Sequence, residues 1–132
     1  MFCWTPSLAV GVDEIDGQHK EWFRHAAAFM DGLDHRTRED IDGLIAYLRR
    51  YTVMHFAVEE SWMREFRYPQ FLAHKAQHDR FLRDLEKLSA EHRTRGLEPM
   101  RVGAWLGQWM TDHVSLTDLR LAEFMTRARR AG

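Results

Sequence analysis

Seven side chains able to donate to a metal ion recur along the chain at helical spacings. They are His19, His55 with Glu59 four residues on, His74 with His78 four residues on, and His113 with Asp118 five residues on. At about 100° per residue, a spacing of four puts two side chains on one helical face a turn apart. His55 with Glu59, and His74 with His78, can therefore each reach one centre. A spacing of five rotates through about 140° in a regular helix. Asp118 can join His113 only if the backbone bends or unwinds within "HVSLTD", where Ser115 and Thr117 are available to cap such a break.

Taken singly, an HxxxH or HxxxE pair is better read as a surface or hydrogen-bonded histidine. Taken together, the seven are costly to explain that way. Each unpaired buried polar group costs a few kcal/mol, and a lone buried carboxylate costs more. A bundle of this size has only about 5–15 kcal/mol of net stability. The other three histidines make the contrast: His25 lies off the first apolar stripe, His35 and His92 fall in connectors, and all three are expected to be solvated. Seven ligands exceed the four of a structural zinc site, and no CxxC or HExxH is present. Imidazole with some carboxylate suits iron, copper, nickel or zinc rather than magnesium or calcium. Five imidazoles, two carboxylates bridging through both oxygens and one bridging oxo or hydroxo leave a single vacant position on two six-coordinate ions.

Elements that could gather these residues are legible as apolar stripes. The 132-residue length suits one domain, residues 1–132, with a single core. No hairpin-bounded alternation occurs, so the fold is expected to be all-α. An irregular N-terminal arm runs to about Ile15. Asp16 is expected to cap a first helix from Gly17 to about Leu33, with His19, Trp22, Phe23, Ala26, Met30 and Leu33 facing in. A second helix, roughly Glu39 to Phe66, carries Ile41, Leu44, Ile45, Leu48, Thr52, His55, Glu59, Trp62 and Phe66. A third opens with Pro69 at an early position and reaches about Glu91, with Phe71, His74, His78, Phe81, Leu85 and Leu88 on its seam. "HRTRGLE" is expected as a loop, and Pro99 opens a fourth helix facing Val102, Leu106, Trp109 and His113 inward. A short helical tail follows a break near Ser115. This is an up-down-up-down four-helix bundle with an N-terminal arm and a short C-terminal helical tail.

Composition excludes several classes. Lys and Arg number 19 against 20 Asp and Glu, a net charge of -1, so there is no basic field for nucleic acid. No apolar run approaches the ~20 residues of a membrane span, and "MFCWTPSLAV" lacks the basic start of a signal peptide. A cytoplasmic, monomeric protein without membrane contact is expected. Cys3, the one cysteine, permits no intrachain disulfide.

The stretches "GVDEIDGQHKEWF", "HFAVEESWM", "HKAQHDRF" and "WMTDHVSLTD" resemble, in order and spacing, the hemerythrin family, bacterial single-domain members in particular. The resemblance spans about Trp4 to Asp118. It implies two iron ions (Fe2+/Fe3+) joined by a bridging oxo or hydroxo and reversible binding of O2. By position, His74, His78 and His113 would hold one iron, His19 and His55 the other, and Glu59 and Asp118 would bridge them. The iron with two histidines would own the open position. An apolar pocket above it is expected from Trp22, Phe56, Phe81, Trp109, Met110 and Val114, since excluding water protects the liganded state. Gln18 and Asp16 are expected to orient imidazoles.

The function expected first is transport, storage or delivery of O2, to an oxygen-using enzyme or beside a redox partner. The alternative is an O2, NO or redox sensor acting through a partner protein. A di-iron oxidase or peroxidase is disfavoured by the single vacancy, and iron storage by the apolar inner faces.

Overall fold

A computed structural model of the protein describes residues 2–131. Four long helices dominate: α1 (Asp13–Met30), α2 (Arg38–Glu65), α3 (Phe71–Arg95) and α4 (Pro99–Asp112). A wide-turned segment, His113–Asp118, leads from α4 into α5 (Leu119–Ala131). No strand occurs among the described residues. Connections this short between helices packed side by side force antiparallel neighbours, so the fold is an all-α four-helix bundle. Helix α1 lies against α2 and α4, and α2 against α3. Phe81 of α3 stacks on Trp105 of α4 with centroids 5.0 Å apart, closing the ring of helices.

Local chemistry accounts for the ends. Thr37 and Asp40 form a reciprocal capping box at the start of α2: the Asp40 N–H donates to Thr37 Oγ1 at 3.1 Å and the Thr37 N–H to Asp40 Oδ2 at 2.8 Å. Helix α2 stops in a tight reversal in which the Tyr68 N–H donates to the Met63 carbonyl at 2.8 Å. Arg67 takes the left-handed position there, with φ 53°. A non-glycine residue in that region costs about 1 kcal/mol. Buried Tyr68 packs against Met63 across the reversal, which offsets that cost.

Several expectations need correcting. Asp16 does not cap α1, which begins at Asp13 and ends at Met30 rather than Leu33. The Asp16 carboxylate instead accepts the N–H groups of Val10 at 2.8 Å and Gly11 at 3.2 Å, tying the arm down over the positive end of the helix. It orients no imidazole. Pro69 lies in the turn before α3. Helix α3 also runs a turn beyond Glu91 to Arg95, leaving only Gly96–Glu98 as the loop, with Gly96 at φ 75°.

That extra turn changes His92. It lies seven residues beyond Leu85 on the inner face and is 2% exposed, not solvated. Its Nε2–H donates to the Arg38 carbonyl at 3.0 Å, and its Nδ1 accepts from the Leu97 N–H at 3.0 Å. His92 thus joins the start of α2 to the α3–α4 loop. His25 is only half-exposed and stacks on Tyr47 at 3.5 Å, whereas His35 is solvated as expected. In α2, Met63 rather than Trp62 occupies the innermost position.

Two apolar layers result. The larger holds Phe23, Leu48, Leu85 and Leu106 with the aromatic residues above the polar cluster. The smaller joins Val12 and Ile15 to Met63 and, from α5, Leu121, Ala122 and Met125. The tail is therefore not a loose appendage. It seals one end of the bundle, and the polar residues lie between the two layers.

Candidate metal centre

Helix α1 contributes His19, α2 contributes His55 and Glu59, and α3 contributes His74 and His78. The wide-turned segment contributes His113 and Asp118. All seven are between 0% and 2% exposed. The segment is π-helical, adding one residue per turn, so a spacing of five completes about one turn and returns Asp118 to the face of His113. The expected break near Ser115 does not occur, because α4 continues through this widened turn into α5. Ser115 Oγ donates to the Thr111 carbonyl at 2.6 Å, one turn back along the chain.

The donor atoms sort into two groups that share both carboxylates. One comprises Glu59, His74, His78, His113 and Asp118; the other comprises His19, His55, Glu59 and Asp118. Glu59 Oε1 lies 3.0 Å from His78 Nε2 and 3.3 Å from His74 Nε2. Its other oxygen lies 3.4 Å from His55 Nε2. Asp118 Oδ1 lies 3.0 Å from His113 Nε2 and 3.1 Å from His74 Nε2, while Oδ2 lies 2.8 Å from His19 Nε2. Each carboxylate turns one oxygen to each group.

Proton sharing alone accounts poorly for this cluster. Asp118 Oδ1 sits close to two imidazoles yet has no hydrogen bond of acceptable geometry, and the same holds for Glu59 Oε2 and His55 Nε2. The Nε2 atoms of His78 and His113 face each other at 3.2 Å. Atoms about 3 Å apart that point past one another rather than at one another are what adjacent ligands on a six-coordinate ion with bonds of ~2.1 Å present. The residues therefore fit a pair of transition-metal ions.

Electrostatics of the metal-free cluster point the same way. Burial presses His55 down to about 4, with Glu59 opposing that shift. Burial also pushes against a charged His113, but the Asp118 and Glu59 carboxylates override it and raise His113 to about 9. His74 is raised by the same pair of carboxylates. Both carboxyls are held below their ordinary range despite burial, Glu59 chiefly by His55 and Asp118 chiefly by His113. Without a cation, buried protons supply the positive charge that two carboxylates demand.

Three imidazoles are oriented from behind. His55 Nδ1–H donates to Gln18 Oε1 at 2.5 Å, His78 Nδ1–H to Glu60 Oε2 at 2.9 Å, and His113 Nδ1–H to Gln77 Oε1 at 3.1 Å. These bonds leave each Nε2 lone pair directed into the cluster. Thr117 also donates to Gln77 Oε1, at 2.8 Å, so one α3 amide grips both ends of the widened turn. Of these three acceptors only Gln18 was expected. Glu60 and Gln77 escaped notice because their imidazoles lie on different helices or in the turn, and no sequence interval connects them.

Above the cluster, Trp22, Phe56, Phe81, Met110 and Val114 are fully buried in the larger apolar layer. Trp109 is half-buried; its ring stacks on His113 at 4.4 Å and meets Phe81 at 4.4 Å. It also lines, with Gln77, His113 and Thr117, a surface cavity of about 570 Å³. Of the six residues expected around the open position, Trp22, Phe56 and Trp109 meet imidazoles directly, and Phe81, Met110 and Val114 share their apolar layer.

The fold and the cluster define a class: an all-α bundle whose inner faces form a histidine-rich, carboxylate-sharing cation site. The chain belongs to the hemerythrin family, since residues 10–125 match the family model described as the hemerythrin HHE cation binding domain. Hemerythrin subunit 1 of Golfingia vulgaris is 27% identical over 119 residues, covering 90% of this chain and 89% of that protein. A bacteriohemerythrin of Pseudomonas aeruginosa is 31% identical over 122 residues, 87% of this chain and 75% of its own length. A hemerythrin-like protein of Naegleria gruberi is 28% identical over 119 residues, 90% and 89% of the two chains. Among the described residues, no helix is long and apolar enough to cross a membrane.

Proposed function

We propose that the chain is a single domain, residues 1–132, that holds two iron ions with a bridging oxo or hydroxo and binds O2 reversibly, as a cytoplasmic monomer that carries, stores or delivers oxygen rather than transforming a substrate. The observation that carries the reading is the division of Glu59 and Asp118 between two histidine groups of unequal size. His74, His78 and His113 would fill one ion, whereas His19 and His55 would leave the other a ligand short. The bound ions would supply the electrons that a dioxygen ligand needs and take them back on its release.

The remaining work falls to the protein. Gln18, Glu60 and Gln77 fix imidazole tautomers and directions, so the site pays little reorganisation when its charge changes. Phe56 stacks flat on His78 at 3.8 Å and Trp109 covers His113, shielding imidazoles of the filled ion, while Trp22 packs on His55 and His19 beside the other. Metal analysis with anaerobic O2 titration tests the reading. About two irons per chain are expected, with a colour that bleaches on reduction, returns in air and is lost again under argon. One iron per chain, or irreversible oxidation on first contact with air, would refute it.

A further inference from the structure

The pocket that covers the cluster is not uniformly apolar. Trp22 is 0% exposed, and its indole Nε1 has no hydrogen-bond partner. Leaving a buried donor unsatisfied costs about 1–3 kcal/mol. A Phe or Leu at this position would avoid that cost while giving up part of the packing. The surroundings explain why the donor is stranded: the ring meets His55 at 5.5 Å, Trp109 at 5.8 Å, Phe81 at 6.3 Å, and His19 and Phe56 at 6.4 Å. Trp109, Phe81 and Phe56 offer no acceptor, and both imidazoles belong to the smaller histidine group. Trp22 therefore packs beside the two imidazoles, His55 and His19, that would hold the ion with the open position.

We propose that the Trp22 indole N–H is a hydrogen-bond donor to the small ligand held in this pocket, so that the pocket selects diatomic and linear ligands that place negative charge on their outer atom. The inference rests on the two-ion reading of the cluster and adds a polar contact that the expected apolar pocket lacks. A neutral, apolar guest of the same size gains nothing from the N–H. A ligand that draws electron density from the ions gains a charge-assisted bond inside a water-free site. Trp22 would act as a specificity-determining residue, with no part in holding metal.

Azide is a suitable probe, because it is linear and anionic and its binding does not depend on reversible oxygenation. In the iron-loaded, oxidised protein, Trp22→Phe should weaken azide binding about ten-fold, read by visible titration. Iron content should stay at the wild-type value. In the metal-free protein the same substitution should leave the urea midpoint close to wild type, because removing a donor with no partner opposes the loss of packing from the smaller ring. Ultraviolet resonance Raman of the wild-type indoles supplies a readout that needs no variant: the N–H-sensitive tryptophan band should shift on adding azide. An unchanged azide affinity in W22F, or an indole band that azide leaves unmoved, would overturn the proposal. So would a lowered urea midpoint with lost iron, which would mean that the N–H serves the fold. Loss of reversible O2 uptake with the azide difference intact would count against the carrier reading alone.

Discussion

Glu60 is the residue whose replacement separates a metal cluster from a merely buried polar network. Its Oε2 accepts from His78 Nδ1–H at 2.9 Å, and its side chain is 14% exposed, so solvent screens the contact little. Glu60→Ala removes a charge-assisted hydrogen bond worth about 1.5–3 kcal/mol. Part of that energy holds the His78 ring in place, and part enriches its Nε2 lone pair. Metal affinity should fall by about 10–100-fold, as is usual when a carboxylate behind a ligating imidazole is lost. Glu60→Gln keeps an acceptor but not the charge, and it should forfeit about half of that free energy. Cobalt(II) uptake by metal-free protein against a competing chelator gives both constants. Replacing exposed Glu123 in α5 serves as the control, with no change expected. The reasoning fails if Glu60→Ala binds cobalt as tightly as wild type, or if Gln and Ala lose equal amounts.

Further expectations concern the remaining residues. Gln77→Ala should loosen both His113 and the widened turn, lowering metal affinity while leaving the urea midpoint of the metal-free protein within about 1 kcal/mol of wild type; an unaltered chelator competition would contradict this role. His92→Ala should destabilise the protein by about 2–4 kcal/mol in urea unfolding, because it strands the Leu97 N–H and the Arg38 carbonyl, yet the folded fraction should retain full iron; a midpoint equal to wild type would show that the buried contacts carry no weight. His78→Ala should sharply reduce iron content, and equal iron losses in the His78 and His92 variants would defeat the distinction between them. Metal uptake should release protons at pH 7, because an entering ion displaces the proton from His113, raised to about 9 in the metal-free protein, and from His74, raised by the same carboxylates. Apparent affinity should therefore climb as pH rises towards about 9 and then flatten, with His55, already neutral at pH 7, contributing nothing. Calorimetry in buffers of different ionisation enthalpy measures the release, and a value of zero at pH 7 would refute the assignment.

How much was legible beforehand follows from the range of each interaction. Fold class and the seven donors rest on helical periodicity, which is local, so spacings of three, four and seven expose them directly. The resemblance to hemerythrins drew on the same intervals. Helix ends were less legible. Asp16 looks like a cap by residue type, but the arm folding back over it decided its partners. His92 looked like a loop residue next to Gly96, although one further turn of α3 swings it into the interior.

By itself, then, the sequence determined which faces turn inward and that an interval of five would need an unwound helix before Asp118 could meet His113. Periodicity carries that information because the geometry of one helix is set by its own residues. Only the tertiary structure decided that the unwinding is a single π turn, that Glu60 and Gln77 stand behind His78 and His113, and that the Trp22 N–H is left without an acceptor. Those facts depend on how separate helices are rotated and shifted against one another, and packing across the whole bundle sets that arrangement.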